Sequence, residues 1–312
     1  MVDSSSSIGL ESPSVIALLV INDLKLLPKL VIESIQNVTN SKIFVGYIND
    51  SDILQLKTFR NLEFIDLSKE ATYLNLLSVN GNYRSFDEDS FFSLVQLKWP
   101  LIQKLMQLCP KSNIIYTDVD VLWVRDASQL VSDSFSVLSR AHLLIQSFTL
   151  SPTAPRLCMG FAAFRNSAEA RSIVEKCTDL HKSLLIQNPR VGDDDVMTEF
   201  FLTSGYPESI HQLPQSTFPV GNMLNLFSKK SLYPALHPEK PFIFHANHVV
   251  GLTKKLELLE LFSRNQTINL NSISQLRSSL IRSMIFVRFM KFLLITVPRT
   301  QLKKKIRKAV KK

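Results

Sequence analysis

Hydrophobic and polar positions along the first 265 residues form blocks that predict short strands and helices in alternation. Uninterrupted apolar runs are typical of strands buried on both faces of a sheet, whereas apolar residues at every third or fourth position indicate helices. The predicted strands are 15–21, 42–48, 62–67, 114–117, 140–148 and 157–164, and the predicted helices are 26–36, 91–108, 168–185, 194–202 and 254–262. This alternation predicts an α/β fold with helices layered on a sheet.

Two irregular stretches and one proline interrupt the pattern. Residues 68–90 and 205–240 are polar and without a clear period, so we expect loops there, and loops often carry binding sites. Pro100 lies inside the helical run 91–108, where it removes a backbone donor, so a kink or a restart of the helix is expected. The body is predicted to be one domain over residues 15–265, preceded by a disordered N-terminus at 1–14.

The end of the chain differs from the body in charge. Thirteen of the 36 Lys and Arg residues lie in the last 49 residues, whereas none of the 27 Asp and Glu residues follows Glu260. Residues 281–297 are apolar with their charges on one helical stripe, and a basic run follows them. This pattern predicts an amphipathic tail over 266–312 that binds an anionic membrane surface through 281–312. Nucleic-acid binding is not expected, because the basic run has no interleaved aromatic residues.

Other sequence signals restrict the class of protein. The three cysteines have no C-x-x-C spacing, which argues against a disulfide framework and a structural zinc site. The Ser-rich start lacks the features of a signal peptide, and no apolar run reaches the roughly 18 residues of a membrane span. We therefore expect a cytoplasmic protein, attached peripherally to the inner membrane face through its tail. The common Gly-rich nucleotide loops are absent.

Two aspartates one residue apart follow the predicted strand 114–117. In strand geometry Asp118 and Asp120 would point to the same side, at the carboxyl edge of the sheet, where open α/β sheets bind ligands. Paired carboxylates suit a hard divalent cation, and such a cation binds phosphate oxygens. The pair therefore predicts a metal site for a diphosphate-bearing substrate.

Two later segments carry further candidate groups. Three consecutive carboxylates begin at Asp193 and repel one another unless a cation or hydrogen bonds compensate. They suit either an acidic first helical turn or an acid that is catalytic or binds the sugar. Farther on, His245 and His248 follow an apolar run, and either imidazole could complete a carboxylate metal site, particularly for Mn²⁺. Lys254 could neutralise a phosphate as a point charge.

Together these residues resemble metal-dependent glycosyltransferases of the GT-A fold in the nucleotide-diphospho-sugar transferase family. That family includes plant cell-wall arabinosyl- and xylosyltransferases and is related to glycogenin-like enzymes. The resemblance spans roughly residues 14–262 and rests mainly on Tyr116–Trp123, Gly192–Thr198 and His245–Lys254. It implies a Rossmann-like mixed sheet flanked by helices. It also implies transfer of a hexosyl or pentosyl group from a nucleotide-diphosphate donor, with UDP favoured, to a glycan or lipid-linked acceptor, with retention of configuration.

The resemblance also implies roles for individual residues. Asp118 and Asp120, completed by His245 or His248, would hold Mn²⁺ or Mg²⁺. Asp193 or Asp194 would orient the donor sugar or stabilise its transition state, although Asp194 stands where glutamine is usual in the family. Five positions are expected to contact the substrate: Lys98, Asn22, Gly160, Gly251 and Lys254.

Two other functions fit parts of the same pattern. An apolar strand followed by Asp-x-Asp also begins haloacid-dehalogenase-type phosphatases, and Gly192-Asp193 could imitate their late motif. Against this, more than a hundred α/β-patterned residues precede Asp118, and the residues before Gly192 are polar. A nucleotide-sugar-binding protein without turnover is the other alternative, because Asp194 replaces the usual glutamine.

Overall fold

A computed structural model of the chain describes residues 13–21, 24, 26–74, 89–148, 155–205, 208–215, 217–220, 241–247 and 251–264. The predicted amphipathic tail and almost all of the predicted disordered N-terminus lie outside these residues. Among the residues that are described, no helix is long and apolar enough to cross a membrane.

The strands in chain order are β1 (Ser14–Leu19), β2 (Ile43–Tyr47), β3 (Leu62–Asp66), β4 (Asn113–Thr117), β5 (Val121–Trp123), β6 (Leu143–Ser147), β7 (Leu157–Phe164), β8 (Ile210–Gln212) and β9 (Ile243–His245). Seven of them form one mixed sheet in the order β3-β2-β1-β4-β7-β6-β8, and β5 pairs with β9 in a separate ribbon. Strands β1 to β4 run parallel within the sheet, whereas β7 is antiparallel to β4 and to β6.

The helices are α1 (Leu27–Gln36), α2 (Asp50–Ile53), α3 (Ser68–Tyr73), α4 (Asp89–Leu94), α5 (Lys98–Leu108), α6 (Ala127–Val137), α7 (Ala168–Gln187), α8 (Asp193–Thr203) and α9 (Leu252–Arg264). Helices α5, α7 and α8 contribute to the core on one face of the sheet, and α1, α6 and α9 contribute to the other. The mixed sheet flanked by helices confirms the predicted α/β fold class.

The alternation of side chains along β1 explains its uninterrupted apolar run. Val15, Ala17 and Leu19 belong to one core, and Ile16 and Leu18 belong to the other. Because both faces of the strand are covered, its residues from Val15 to Leu19 are all apolar. Burial of each large aliphatic side chain contributes about 1.5–3 kcal/mol to folding.

Parts of the predicted loop and helix pattern are corrected. Residues 68–73 form α3 rather than a loop, because Ser68 N–H is capped by the Asp66 carboxylate at 2.8 Å and Ala71 is fully buried. The run 91–108 is divided by a 3₁₀ turn at Val95–Leu97. Helix α5 then starts so that Pro100 lies in its first turn, where no backbone donor is needed.

Candidate active site

The two aspartates of the Asp-x-Asp pair lie in a tight turn between β4 and β5, so the predicted strand geometry at this point is wrong. The turn is closed by Val121 N–H, which donates to Asp118 O at 3.1 Å. Its backbone is also bonded to two other segments, through Asp118 N to Gly160 O (2.8 Å) and Ala246 N to Asp120 O (2.9 Å). These bonds fix the turn at the carboxyl edge of β4, as the sequence predicts.

His245 completes a cluster with the two aspartates. It ends β9, which places it opposite Val121 in the β5–β9 ribbon. One ligand atom from each of Asp118, Asp120 and His245 lies within 4.8 Å of the others. His245 Nε2 is 3.2 Å from Asp120 Oδ1, and the imidazole is buried. Two carboxylate oxygens and one imidazole nitrogen are a donor set that suits Mn²⁺ and accommodates Mg²⁺.

Gly160 allows the imidazole to lie where it does. A Cβ atom at this position of β7 would be 1.9 Å from Cε1 of His245, a separation that real structures do not contain. Any side chain at residue 160 would therefore displace the ring. The structure thus explains sterically why residue 160 is a glycine. The predicted contact of Gly160 with the donor sugar stays a prediction.

Lys255 binds the second aspartate of the cluster. Its ammonium donates to Asp120 Oδ2 from the first turn of α9. Burial raises the pKa of Asp120, but its neighbours, Lys255 above all, lower that pKa by more, so the carboxylate stays ionised. Lys255 is not among the residues predicted from sequence. The Lys254-Lys255 pair at the start of a helix was the available signal, and the fold brings Lys255 to Asp120.

Lys98 connects the first aspartate to the acidic segment. Its Nζ is 2.8 Å from Asp118 Oδ1 and 2.5 Å from Asp193 Oδ2, and its side chain is only 5% exposed. Tyr116 Oη donates to the same Asp118 oxygen at 2.8 Å. Burial lowers the pKa of Lys98, but the two carboxylates raise that pKa by more, so the ammonium stays charged.

The three consecutive aspartates make three different contacts at the start of α8. Asp193 pairs with Lys98, Asp194 Oδ1 accepts from Met159 N–H at 2.6 Å, and Asp195 Oδ2 accepts from Gly192 N–H at 3.1 Å. Burial and the negative charge of Asp193 raise the pKa of Asp194 well above its ordinary value. The segment thus forms the acidic first turn of α8, as one interpretation predicts, and its catalytic or sugar-binding role stays a prediction.

Residues 62–259 match the sequence model of the nucleotide-diphospho-sugar transferase family. The match covers more than half of the chain. The chain belongs to this family. As a nucleotide-diphospho-sugar transferase it is a glycosyltransferase, as the resemblance implied. No curated protein sequence matches it.

Solved structures of glycosyltransferases are similar to this transferase at low identity. The apo form of the glycosyltransferase GlyE from Streptococcus pneumoniae TIGR4 aligns with a TM-score of 0.50 and 13% identity, over 86% of this chain and 64% of that chain. Mouse xyloside xylosyltransferase 1, also in its apo form, aligns with a TM-score of 0.48 and 13% identity, over 75% and 97%. A glycosyltransferase involved in glycosylation of the major capsid of PBCV-1 gives 0.47 and 12%, over 79% and 99%.

Family membership does not favour the phosphatase or the non-catalytic alternative. The strand before Asp118 lies in the middle of the sheet, after three earlier strands of the same sheet. Gly192 precedes a helix rather than following a strand. Both features differ from the arrangement on which the phosphatase alternative depends.

For four other predicted site residues, the structure describes no contact with the metal cluster. Asn22 and His248 lie outside the described residues, and the side chain of Lys254 does too, although its backbone is in α9. Gly251 precedes α9 with φ +100°, a conformation that favours glycine. Their roles in substrate and metal binding stay predictions.

Proposed function

We propose that this transferase moves a sugar from a UDP-linked donor in a reaction that requires Mn²⁺ or Mg²⁺. The observation that supports this most directly is the convergence of Asp118, Asp120 and His245 within 4.8 Å, in a chain of this family. The chemistry that a divalent cation supplies at such a site is stabilisation of negative charge on the leaving diphosphate. The carboxylates and the imidazole would hold that cation.

The lysines of the site have separate roles in this proposal. Lys98 is enclosed by Asp118 and Asp193, so it holds both carboxylates in position. Lys255 contacts Asp120 and is about one-fifth exposed. It therefore provides a second positive charge at the edge of the cluster, where a diphosphate would approach.

We assign the role at the donor sugar to Asp194, with Asp193 as its positioned neighbour. Asp193 is engaged by the Lys98 ammonium, whereas Asp194 is partly exposed and held by the Met159 backbone amide. A carboxyl group held in this way can orient a sugar hydroxyl or respond to positive charge that develops at the reacting carbon. Retention of configuration is part of the proposal and rests on the resemblance of Gly192–Thr198 to retaining members of the family.

A donor screen tests the proposal. Full-length protein would be incubated with Mn²⁺, a panel of UDP- and GDP-sugars and mixed glycan and lipid-linked acceptors, and the released nucleotide would be measured. We expect UDP release that EDTA abolishes, and a loss of at least about 100-fold in Asp120→Ala, consistent with removal of a group that stabilises transition-state charge. Asp133→Ala, which removes an exposed carboxylate of α6, is the control. Metal-independent turnover by Asp120→Ala would contradict the assignment.

We further propose that the enzyme acts at the cytoplasmic face of a membrane, on a glycan or lipid-linked acceptor. The support is the sequence of residues 281–312, in which an apolar stripe precedes a basic run. Each basic residue near an anionic surface contributes about 1 kcal/mol. Co-sedimentation with vesicles that contain phosphatidylserine would compare the wild-type chain with a full-length variant in which Lys303, Lys304 and Lys305 are replaced by Gln. Equal sedimentation of both proteins would contradict the proposal.

A further inference from the structure

Gln146 is a fully buried residue of β6 that lies directly behind the metal cluster. Its Nε2 donates to two backbone oxygens, Phe218 O at 3.2 Å and Pro219 O at 3.3 Å. Only an amide nitrogen can face two carbonyl oxygens, so these contacts fix the orientation of the amide. Its Oε1 therefore faces the other way, where it lies 3.2 Å from His245 Nδ1.

This orientation determines which ring nitrogen of His245 carries a proton. Gln146 Oε1 is an acceptor without a hydrogen, so His245 Nδ1 must be the donor in their bond. A neutral imidazole with its proton on Nδ1 has its lone pair on Nε2. Nε2 is the nitrogen that faces Asp120, at 3.2 Å from Oδ1, inside the cluster.

The surroundings of the ring reinforce the same arrangement. Cys158 Sγ lies 3.7 Å from His245 Nδ1 and accepts from Asn247 Nδ2 at 3.7 Å, and a sulfur can also accept weakly from an Nδ1–H group. On another side, the ring lies so close to the backbone of Gly160 that no side chain would fit at that position. Both polar groups described around Nδ1 can therefore accept its proton, and the ring has little freedom to rotate.

We propose that Gln146 is a positioning residue of the metal site, which holds His245 in the Nδ1–H tautomer and directs the Nε2 lone pair at the cation. The proposal rests on the proposed function, since it requires that His245 bind the metal. A hydrogen bond from the second nitrogen of a metal-bound imidazole fixes ring orientation and raises ligand basicity, and its loss costs about 10–100-fold in metal affinity or activity.

Mn²⁺ binding to the full-length protein, measured by calorimetry without any substrate, tests the proposal. Gln146→Met keeps the length of the side chain and removes the acceptor, so we expect Mn²⁺ affinity to fall by about 10–100-fold. In Gln146→Glu one carboxyl oxygen can still accept from Nδ1, but the other must carry a proton to face Phe218 O and Pro219 O, so we expect an Mn²⁺ affinity above that of Gln146→Met and below that of the wild type. Gln215→Met is a matched control, because Gln215 is also buried and its amide donates to Ser147 O at 2.8 Å.

Two results would overturn the proposal in distinguishable ways. If Gln146→Met binds Mn²⁺ as tightly as the wild type while His245→Ala does not bind it, Gln146 has no positioning role although the metal site is correct. If His245→Ala binds Mn²⁺ as tightly as the wild type, the metal site itself is wrong and the proposal fails with it.

A spectroscopic measurement on the wild type reads the tautomer of His245 directly. Long-range ¹H–¹⁵N spectra of histidine-labelled protein loaded with diamagnetic Mg²⁺ report which ring nitrogen is protonated. We expect His245 to carry its proton on Nδ1, with the signal assigned by its absence in His245→Ala. A proton on Nε2 instead would contradict the proposal.

Discussion

Replacement of Lys98 by Met tests whether the buried ion pairs behind Asp118 organise the site. The substitution keeps the apolar stem and removes an ammonium that is 2.5 Å from Asp193 Oδ2 and 2.8 Å from Asp118 Oδ1. Removal of one partner of a buried ion pair costs about 3–5 kcal/mol. Asp118 keeps its hydrogen bond from Tyr116, and its side chain is 26% exposed to solvent. Since mainly Asp193 is left uncompensated, we expect a loss of about 3 kcal/mol.

The assay is urea unfolding of wild-type and Lys98→Met protein from pH 5 to pH 8. Without the ammonium, the carboxylates in the folded state bind protons more readily than in the unfolded state. The stability deficit should therefore shrink as the pH falls. Saturating Mn²⁺ should also reduce the deficit, because the cation replaces part of the lost positive charge.

Lys104→Met provides a matched control on the same helix. Lys104 pairs with Glu70 at 2.8 Å, but its side chain is 34% exposed, so its loss should cost only about 0–1 kcal/mol. If Lys98→Met costs no more than Lys104→Met, or if its deficit is the same at pH 5 and pH 8, the ion pairs at Lys98 do not hold the site together.

Two further substitutions test neighbouring parts of the site. Because the folded-state pKa of Asp194 is raised above its ordinary 3.8, the ionised group destabilises the fold as pH rises. Asp194→Asn should thus be more stable than wild type at pH 8, and the gain should shrink as the pH falls toward 4; a pH-independent difference in thermal unfolding would refute this. Gly160→Ala should weaken Mn²⁺ binding by at least about tenfold, because its Cβ would overlap the His245 ring. Gly46→Ala is the control, because the added Cβ in β2 would meet the flexible Leu101 side chain, and it should leave the Mn²⁺ affinity unchanged. Equal Mn²⁺ affinity of the wild type, Gly160→Ala and Gly46→Ala would contradict the steric role of Gly160.

The fold was largely predictable because burial on both faces leaves a simple sequence signal. The apolar run of β1 reflects two cores that alternate along one strand, and a local pattern is enough to detect it. Helix α6 leaves a weaker signal, since its start depends on Asp126, which caps Ser128 N–H at 2.9 Å. Such a cap consists of two or three residues and does not alter the hydrophobic period.

The candidate site was predictable only in its residue types. The Asp-x-Asp pair was evident from its place after a strand. Its two carboxylates come together, however, because the backbone of the turn is hydrogen-bonded to Gly160 and Ala246. Lys255 and Gln146 could not be found in this way, because Lys255 contacts Asp120 across 135 residues of sequence and Gln146 contacts His245 across 99. Their contacts depend on how β6, β9 and α9 meet the carboxyl edge of β4, which no local pattern encodes.

The affinity for UDP, measured by calorimetry with Mn²⁺ and again with EDTA, tests the central claim most directly. If Asp118, Asp120 and His245 hold a cation that binds the diphosphate, Mn²⁺ should tighten UDP binding by about 5–150-fold, the usual range for coupled ligands. Asp120→Ala should lose this coupling, whereas Asp133→Ala should keep it. Equal UDP affinity of the wild type with Mn²⁺ and with EDTA would contradict the account.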